Sequence, residues 1–75
     1  MNTIDDFLTL VRDELGLPVT MHDAGLNLDQ VAGWDSMHLL WLLTVLEQRT
    51  GRSLPLAALL EAESLEDIYS LVVTE

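Results

Sequence analysis

The chain lacks cysteine and lysine, and its 75 residues contain only three cations, all arginines, against 13 acidic residues. Without cysteine it has no disulfide, no thiolate nucleophile and no zinc site built on sulfur. A chain this short buries only about 60% of the surface that its unfolded form exposes, so it has one modest core and no room for a deep active-site cleft. The fold must therefore rest on well-packed secondary structure, and an enzyme is a disfavoured interpretation.

The shortage of positive charge excludes two classes of partner. The formal net charge is -10, and the arginines are scattered at positions 12, 49 and 52. Scattered cations cannot neutralise a run of phosphates, so nucleic acid is excluded. Binding to an anionic membrane surface needs clustered cations beside an apolar face, so that is excluded as well. An acidic surface instead predicts basic patches on protein partners.

Targeting and membrane-spanning segments are also missing from the sequence. The first six residues, Met-Asn-Thr-Ile-Asp-Asp, have neither the basic start nor the apolar stretch of a secretion signal. The longest apolar-rich run, residues 37–46, is half of the roughly 20 residues that a membrane span needs. We expect a cytoplasmic monomer with a single domain over residues 1–75. Its start at Met1 predicts a free-standing protein, and a domain excised from a larger synthase is the alternative.

The first helix is predicted over residues 4–15 from apolar residues at helical spacing. Thr3 precedes it as a cap, Gly16 follows at the position of a left-handed C-terminal cap, and Pro18 prevents continuation. Residues 17–34 have no sustained period and predict a long ordered loop. Loops of this length are uncommon in compact domains and are usually functional.

Three further helices follow the loop, and no strand pattern competes with them. The second helix covers residues 37–50 and ends at Gly51. Pro55 fits the first turn of a short third helix that ends near residue 60. Ser64, with an acidic residue three positions later, caps the fourth. The predicted fold class is therefore all-α, a four-helix bundle with a long loop between its first two helices.

The second helix is apolar on two faces. At about 100° per residue, four leucines share one face and form the predicted core stripe: Leu39, Leu42, Leu43 and Leu46. The other face begins with Ser36 and continues with Met37, Leu40, Trp41 and Thr44. Because so small a protein cannot surround one of its own helices completely, part of this second face is expected to be open. The alternative is that the short third helix covers Met37, Leu40 and Trp41.

Asp35 and Ser36 lie where the long loop meets this apolar helix. Both are strong N-cap residues, so simple capping is the first interpretation. A hydrolase triad with His38 is disfavoured, because Ser36 and His38 are about 200° apart around the helix axis and no Gly-x-Ser-x-Gly elbow is present. His22 and His38 do not have the spacing of metal ligands and are interpreted as solvated polar positions.

Residues 33–37, Gly-Trp-Asp-Ser-Met, resemble the Gly-x-Asp-Ser-Leu pattern of the acyl carrier protein family, with Met in place of Leu. The similarity extends over almost the whole chain, through Leu42, Leu46, Glu47, Gly51, Leu54, Pro55, Leu65, Asp67 and Ile68. The resemblance implies a four-helix carrier of acyl, peptidyl or aminoacyl groups. It implies no catalytic residue in the chain itself.

The same resemblance implies that Ser36 carries a covalent 4'-phosphopantetheine arm, which a phosphopantetheinyl transferase moves from coenzyme A. Asp35 would help to present the serine to that transferase and its metal. The thiol of the arm would hold a thioester for an acyl- or aminoacyl-loading enzyme and for downstream transferases or condensing enzymes. A phosphodiester suits the N-terminus of a helix, where free N–H groups and the positive end of the dipole lie.

The sequence departs from fatty-acid carriers, which usually have several acids along the exposed face of the second helix. Here that stretch contains Trp41 and Gln48 and retains only Glu47, while the other acids collect on the first, third and fourth helices. We expect a dedicated carrier for polyketide or nonribosomal peptide assembly. The expected partner surface is more apolar than usual and comprises Met37, Leu40, Trp41, Glu61 and Glu63. The alternative function is an unmodified acidic helical adaptor that binds basic protein partners.

Overall fold

The computed structural model describes residues 3–74, and this part of the chain is entirely helical, without a strand. Its five α-helices are α1 Ile4–Leu15, α2 Met21–Ala24, α3 Ser36–Thr50, α4 Leu56–Glu61 and α5 Leu65–Thr74. The predicted all-α bundle is therefore confirmed, with α1, α3, α4 and α5 as its four predicted helices. Within residues 3–74, no helix is both long enough and apolar enough to cross a bilayer.

The ends of the helices follow the predicted caps. The backbone N–H of Asp6 donates to the hydroxyl of Thr3 at 3.2 Å, and that of Asp67 donates to the hydroxyl of Ser64 at 3.2 Å. Gly16 ends α1 in a left-handed conformation with φ 69°, and Gly51 ends α3 with φ 70°. Each of these caps depends on residues within one turn of the helix end, which is why the sequence predicted them.

The segment between α1 and α3 contains more helical structure than the predicted ordered loop. It contains α2 and a 3₁₀ turn, Leu28–Gln30. Both the backbone N–H and the hydroxyl of Thr20 donate to Oδ2 of Asp23, which starts α2. The guanidinium of Arg12 donates to the carbonyl of Val19 at 2.7 Å and so fixes the segment that precedes α2. Elements of three or four residues are too short to show a helical period, so the periodic pattern missed them.

One hydrophobic cluster joins all the helices. Its fully buried large side chains are Phe7, Leu8, Val11, Val19, Leu42, Leu46, Leu59, Leu65 and Ile68. The predicted core stripe of α3 needs one correction, because Leu43 is only half-buried and Val45 is buried in its place. α3 packs against both α1 and α4. The buried arc of α3 therefore includes Val45, which the spacing of the leucines did not predict.

Candidate functional site

The chain reaches α3 through a tight turn at Gly33. This glycine has φ +81°, and a Cβ added there would lie 3.0 Å from Cδ2 of Leu17. Both the left-handed backbone and the close approach favour a residue without a side chain. The next residue, Trp34, is half-buried against the core and donates its backbone N–H to the carbonyl of Val31 at 3.1 Å. Gly33 thus lets the chain pass Leu17 and enter α3.

Asp35 is the N-cap of α3, which confirms the capping interpretation. Its backbone is extended, with φ -152° and ψ 179°, and its Oδ1 accepts from the backbone N–H of His38 at 3.0 Å. Ser36 is then the first residue of a 15-residue helix and is exposed. Because the cap fixes the first turn of α3, it also fixes the backbone position from which the Ser36 side chain extends.

The pKa of Asp35 is lower than that of an ordinary aspartate. The main cause is the hydrogen bond from the His38 backbone N–H, and the charge of the His38 imidazole acts in the same direction, while partial desolvation opposes both. A carboxyl whose pKa falls on folding stabilises the folded state fully above its unfolded pKa. That contribution is lost as the pH falls through the lower, folded pKa. The cap is therefore charged and intact at neutral pH.

The side chain of His38 is not a solvated polar position, so that interpretation is wrong. Only 29% of it is exposed, and its Nδ1 lies 3.0 Å from Oδ1 of Asp35. The atom pair is at ion-pair distance, and Nδ1 is buried with no other partner. The ring stacks on Trp34, with centroids 6.2 Å apart and an interplanar angle of 29°. Among residues 3–74, no hydrogen bond joins His38 to Ser36.

Behind Ser36, α3 exposes a surface without charge. Met37 is 71% exposed, Leu40 47% and Trp41 52%, so α4 does not cover them, and the alternative that it would is wrong. Thr44 and Gln48 continue the surface and are exposed as well. We call this set of six residues the neutral face of α3: Ser36, Met37, Leu40, Trp41, Thr44 and Gln48. Its lack of charge is unusual in a chain with a net charge of -10.

Two contacts at the edges of the neutral face were not foreseen from the sequence. The indole N–H of Trp41 donates to the carbonyl of Glu14, near the end of α1, at 3.2 Å. Glu47 is the one acid of α3 that matches the acidic second helix of fatty-acid carriers. Its carboxylate accepts a hydrogen bond from the backbone N–H of Leu54 at 2.8 Å. Glu47 therefore fixes the connection between α3 and α4. Both contacts join residues that are distant in the chain or separated by a turn, and no local pattern encodes them.

Glu61 and Glu63 are exposed at the other side of the site. They line an open groove of about 480 Å³. The groove lies between the N-terminal part of α3, the 3₁₀ turn and α4. Trp34 and Leu39 also line it. The groove thus places these two acids on the same surface as Trp34, which precedes Asp35. Within the part of the chain that the structure describes, no group of three His, Asp or Glu side chains is arranged to hold a metal ion.

The family model described as "Phosphopantetheine attachment site" matches residues 5–72. The match covers most of the chain, and the chain belongs to this family. It is therefore a carrier domain that bears covalent 4'-phosphopantetheine and works with a phosphopantetheinyl transferase and biosynthetic enzymes. No curated protein and no solved structure is significantly similar to the chain. An exposed serine at the first turn of a long helix fits a phosphodiester, because a helix N-terminus stabilises negative charge.

Proposed function

We propose that Ser36 carries the phosphopantetheine arm and that the chain presents an acyl or aminoacyl thioester for polyketide or nonribosomal peptide assembly. The observation that carries this proposal is the exposed hydroxyl of Ser36, next to a charged Asp35 cap, in a chain of the phosphopantetheine family. The chain acts as a carrier and is not itself an enzyme. We further propose a monomeric cytoplasmic protein with a single domain over residues 1–75.

The chain's own residues have two tasks in the attachment. Ser36 supplies the oxygen, which gives its proton to a base of the transferase and forms the new phosphoester bond, while the phosphoanhydride bond of coenzyme A breaks and adenosine 3',5'-bisphosphate leaves. Asp35 presents that oxygen, since its carboxylate is ionised and bound to the first turn of α3. The bound arm supplies a thiol for the cargo. Because the chain has no cysteine, no thiol of its own competes for acylation.

The proposed partner surface consists of Met37, Leu40 and Trp41 on α3, together with Glu61 and Glu63. The three apolar residues are contiguous with Ser36 on the neutral face and exposed, as residues that anchor a partner must be. The two glutamates are exposed beside the site and favour basic residues at the rim of the partner. An apolar centre in place of a row of acids supports a dedicated enzyme partner in a specialised pathway.

Attachment is tested by incubating the chain with coenzyme A, magnesium and a phosphopantetheinyl transferase of broad specificity. We expect intact-mass spectrometry to show one added phosphopantetheinyl group in the wild type and none in Ser36→Ala. Ser53→Ala is the matched control, since Ser53 is exposed and lies after the end of α3. No gain in the wild type would favour the acidic adaptor, and an equal gain in Ser36→Ala would place the arm elsewhere.

A further inference from the structure

The head of α3 contains a buried nitrogen that capping does not explain. The backbone N–H of His38 already satisfies the Asp35 cap, so the imidazole is not needed for it. The ring is nevertheless turned toward the Asp35 carboxylate, and its Nδ1 is shielded from solvent with no partner other than that carboxylate. Buried polar atoms without partners are rare in folded proteins, and each calls for a reason. The contact that accounts for the position of Nδ1 is Oδ1 of Asp35, which lies 3.0 Å away.

The position of the ring is fixed from the other side by Trp34. The two rings stack at a centroid distance of 6.2 Å, within the range of favourable aromatic pairs. Trp34 is itself held against the hydrophobic core. The three side chains therefore form a series of contacts from the core through Trp34 and His38 to the Asp35 carboxylate. Asp35, the last residue of this series, is next to Ser36.

We propose that His38 is a positioning residue for the loading of Ser36: braced by Trp34, its Nδ1 restrains the Asp35 carboxylate in the orientation that the transferase uses. This inference rests on the proposed function of Ser36. His38 touches neither Ser36 nor any substrate and acts only through Asp35. The hydrogen bond of the cap restrains the carboxylate of Asp35 through the backbone alone. The imidazole of His38 adds a second restraint, from a side chain that Trp34 holds in place.

Two substitutions separate this role from a general effect on the helix. In His38→Asn the side-chain amide can place its nitrogen close to the position of Nδ1, whereas in His38→Gln the longer side chain carries it to the position of Nε2. Both residues are polar and neither is charged. His22→Gln is the matched control, because His22 is exposed on α2.

The test measures initial rates of phosphopantetheine transfer at varied carrier concentrations, and it compares kcat with KM for each variant. We expect His38→Gln to lower kcat about 10-fold, the lower end of the loss seen when a group that orients a functional ligand is removed, with KM within about 2-fold because the neutral face is unchanged. His38→Asn should stay within about 3-fold of the wild type, and His22→Gln should match it. Thermal melts confirm that all variants are folded.

A second measurement needs no transferase. Carbon-13 chemical shifts of the Asp35 carboxyl, followed against pH in the unmodified chain, should give a higher pKa in His38→Gln than in His38→Asn. Equal rates in all variants, equal losses in Asn and Gln, or an effect on KM alone would overturn the positioning role. A wild type that takes no arm at Ser36 would overturn the proposed function, and with it any role of His38 in loading.

Discussion

Gly33 and Gly16 both have left-handed backbones, but their surroundings differ. At Gly33 a Cβ would lie 3.0 Å from Leu17, whereas at Gly16 nothing lies within 4 Å. We expect Gly16→Ala to destabilise the fold by about 1–2 kcal/mol, the cost of an alanine in this region. Gly33→Ala should cost more, about 2–3 kcal/mol, because Leu17 must also move. Urea unfolding of both variants measures the two values.

Comparing Gly33→Ala with Gly16→Ala isolates the cost of the close approach to Leu17, since the cost of the left-handed backbone is common to both positions. Gly33→Ala should also slow phosphopantetheine transfer, because the turn aims Trp34 and Asp35. Equal destabilisation of the two variants would show that Leu17 yields without cost. In that event the glycine in the motif serves only the backbone conformation.

Individual residues could be predicted where their partners are local. Thr3, Asp35 and Ser64 were all expected to cap helices and do so through backbone N–H groups three residues away. His38 was misjudged although its partners are only three and four residues away. Helical spacing permits the contact with Trp34, but the burial of that tryptophan against the core decides which way the imidazole turns.

At the scale of elements, Trp41 links α3 to α1 while exposing half of its surface. Trp41→Ala should destabilise the fold by about 1 kcal/mol, the net value of the lost bond to the Glu14 carbonyl. It should also weaken recognition by the loading enzyme by about 2 kcal/mol, as for an aromatic anchor at the centre of an interface. Thermal melts and loading kinetics measure the two effects separately.

Two further variants distinguish the bond from the apolar surface. Trp41→Phe retains the aromatic face and loses the N–H donor, so it should share the loss of stability but keep most of the recognition. Trp41→Glu should lose recognition by the cognate enzyme and favour enzymes with basic docking patches. A loss of about 3–5 kcal/mol in Trp41→Ala would instead identify a core residue, and unchanged loading would remove Trp41 from the partner surface.

Long elements were predicted better than short ones. α1 has the predicted bounds, because twelve residues with caps at both ends give a clear pattern. α2 was missed, since four residues make barely one turn and depend on the pairing of Thr20 with Asp23. The exchange of Leu43 for Val45 in the core has a different cause. Both are apolar, so the spacing within α3 does not decide which one faces inward, and packing against neighbouring helices such as α1 and α4 does.

For the whole molecule, 13 acidic residues face only three arginines, and the contacts of those arginines show where the positive charges lie. Arg12 donates to the carbonyl of Val19 and Arg52 to that of Val72, so these two arginines pair with backbone oxygens. Arg49 lies 3.4 Å from Glu14 in an exposed ion pair, and such pairs contribute little. The arginines therefore fix loops and helix ends more than they neutralise the 13 acidic residues.

Self-repulsion among these acids should make stability depend on salt. The Debye length is about 10 Å at 0.1 M salt and about 3 Å at 1 M, and the Cα atoms of the described chain extend over 28 × 23 × 19 Å. Raising sodium chloride through this range at neutral pH should therefore screen most of the repulsion. We expect Tm to rise by about 4–8 °C, which corresponds to about 1 kcal/mol for a domain of this size. Magnesium should act at lower concentration.

Asp13→Asn shows whether the effect comes from charge repulsion. Asp13 is exposed near the C-terminal end of α1, where the helix dipole disfavours an anion, and it lines an open pocket together with Asp6 and Arg49. Removing its charge should raise Tm at low salt, and the gain should shrink as salt increases. Asp5→Asn is the matched control, since Asp5 lies in the favourable first turn of the same helix and its removal should not raise Tm. A Tm that is flat or falls with salt, with equal responses in the two variants, would mean that local contacts already compensate the acids.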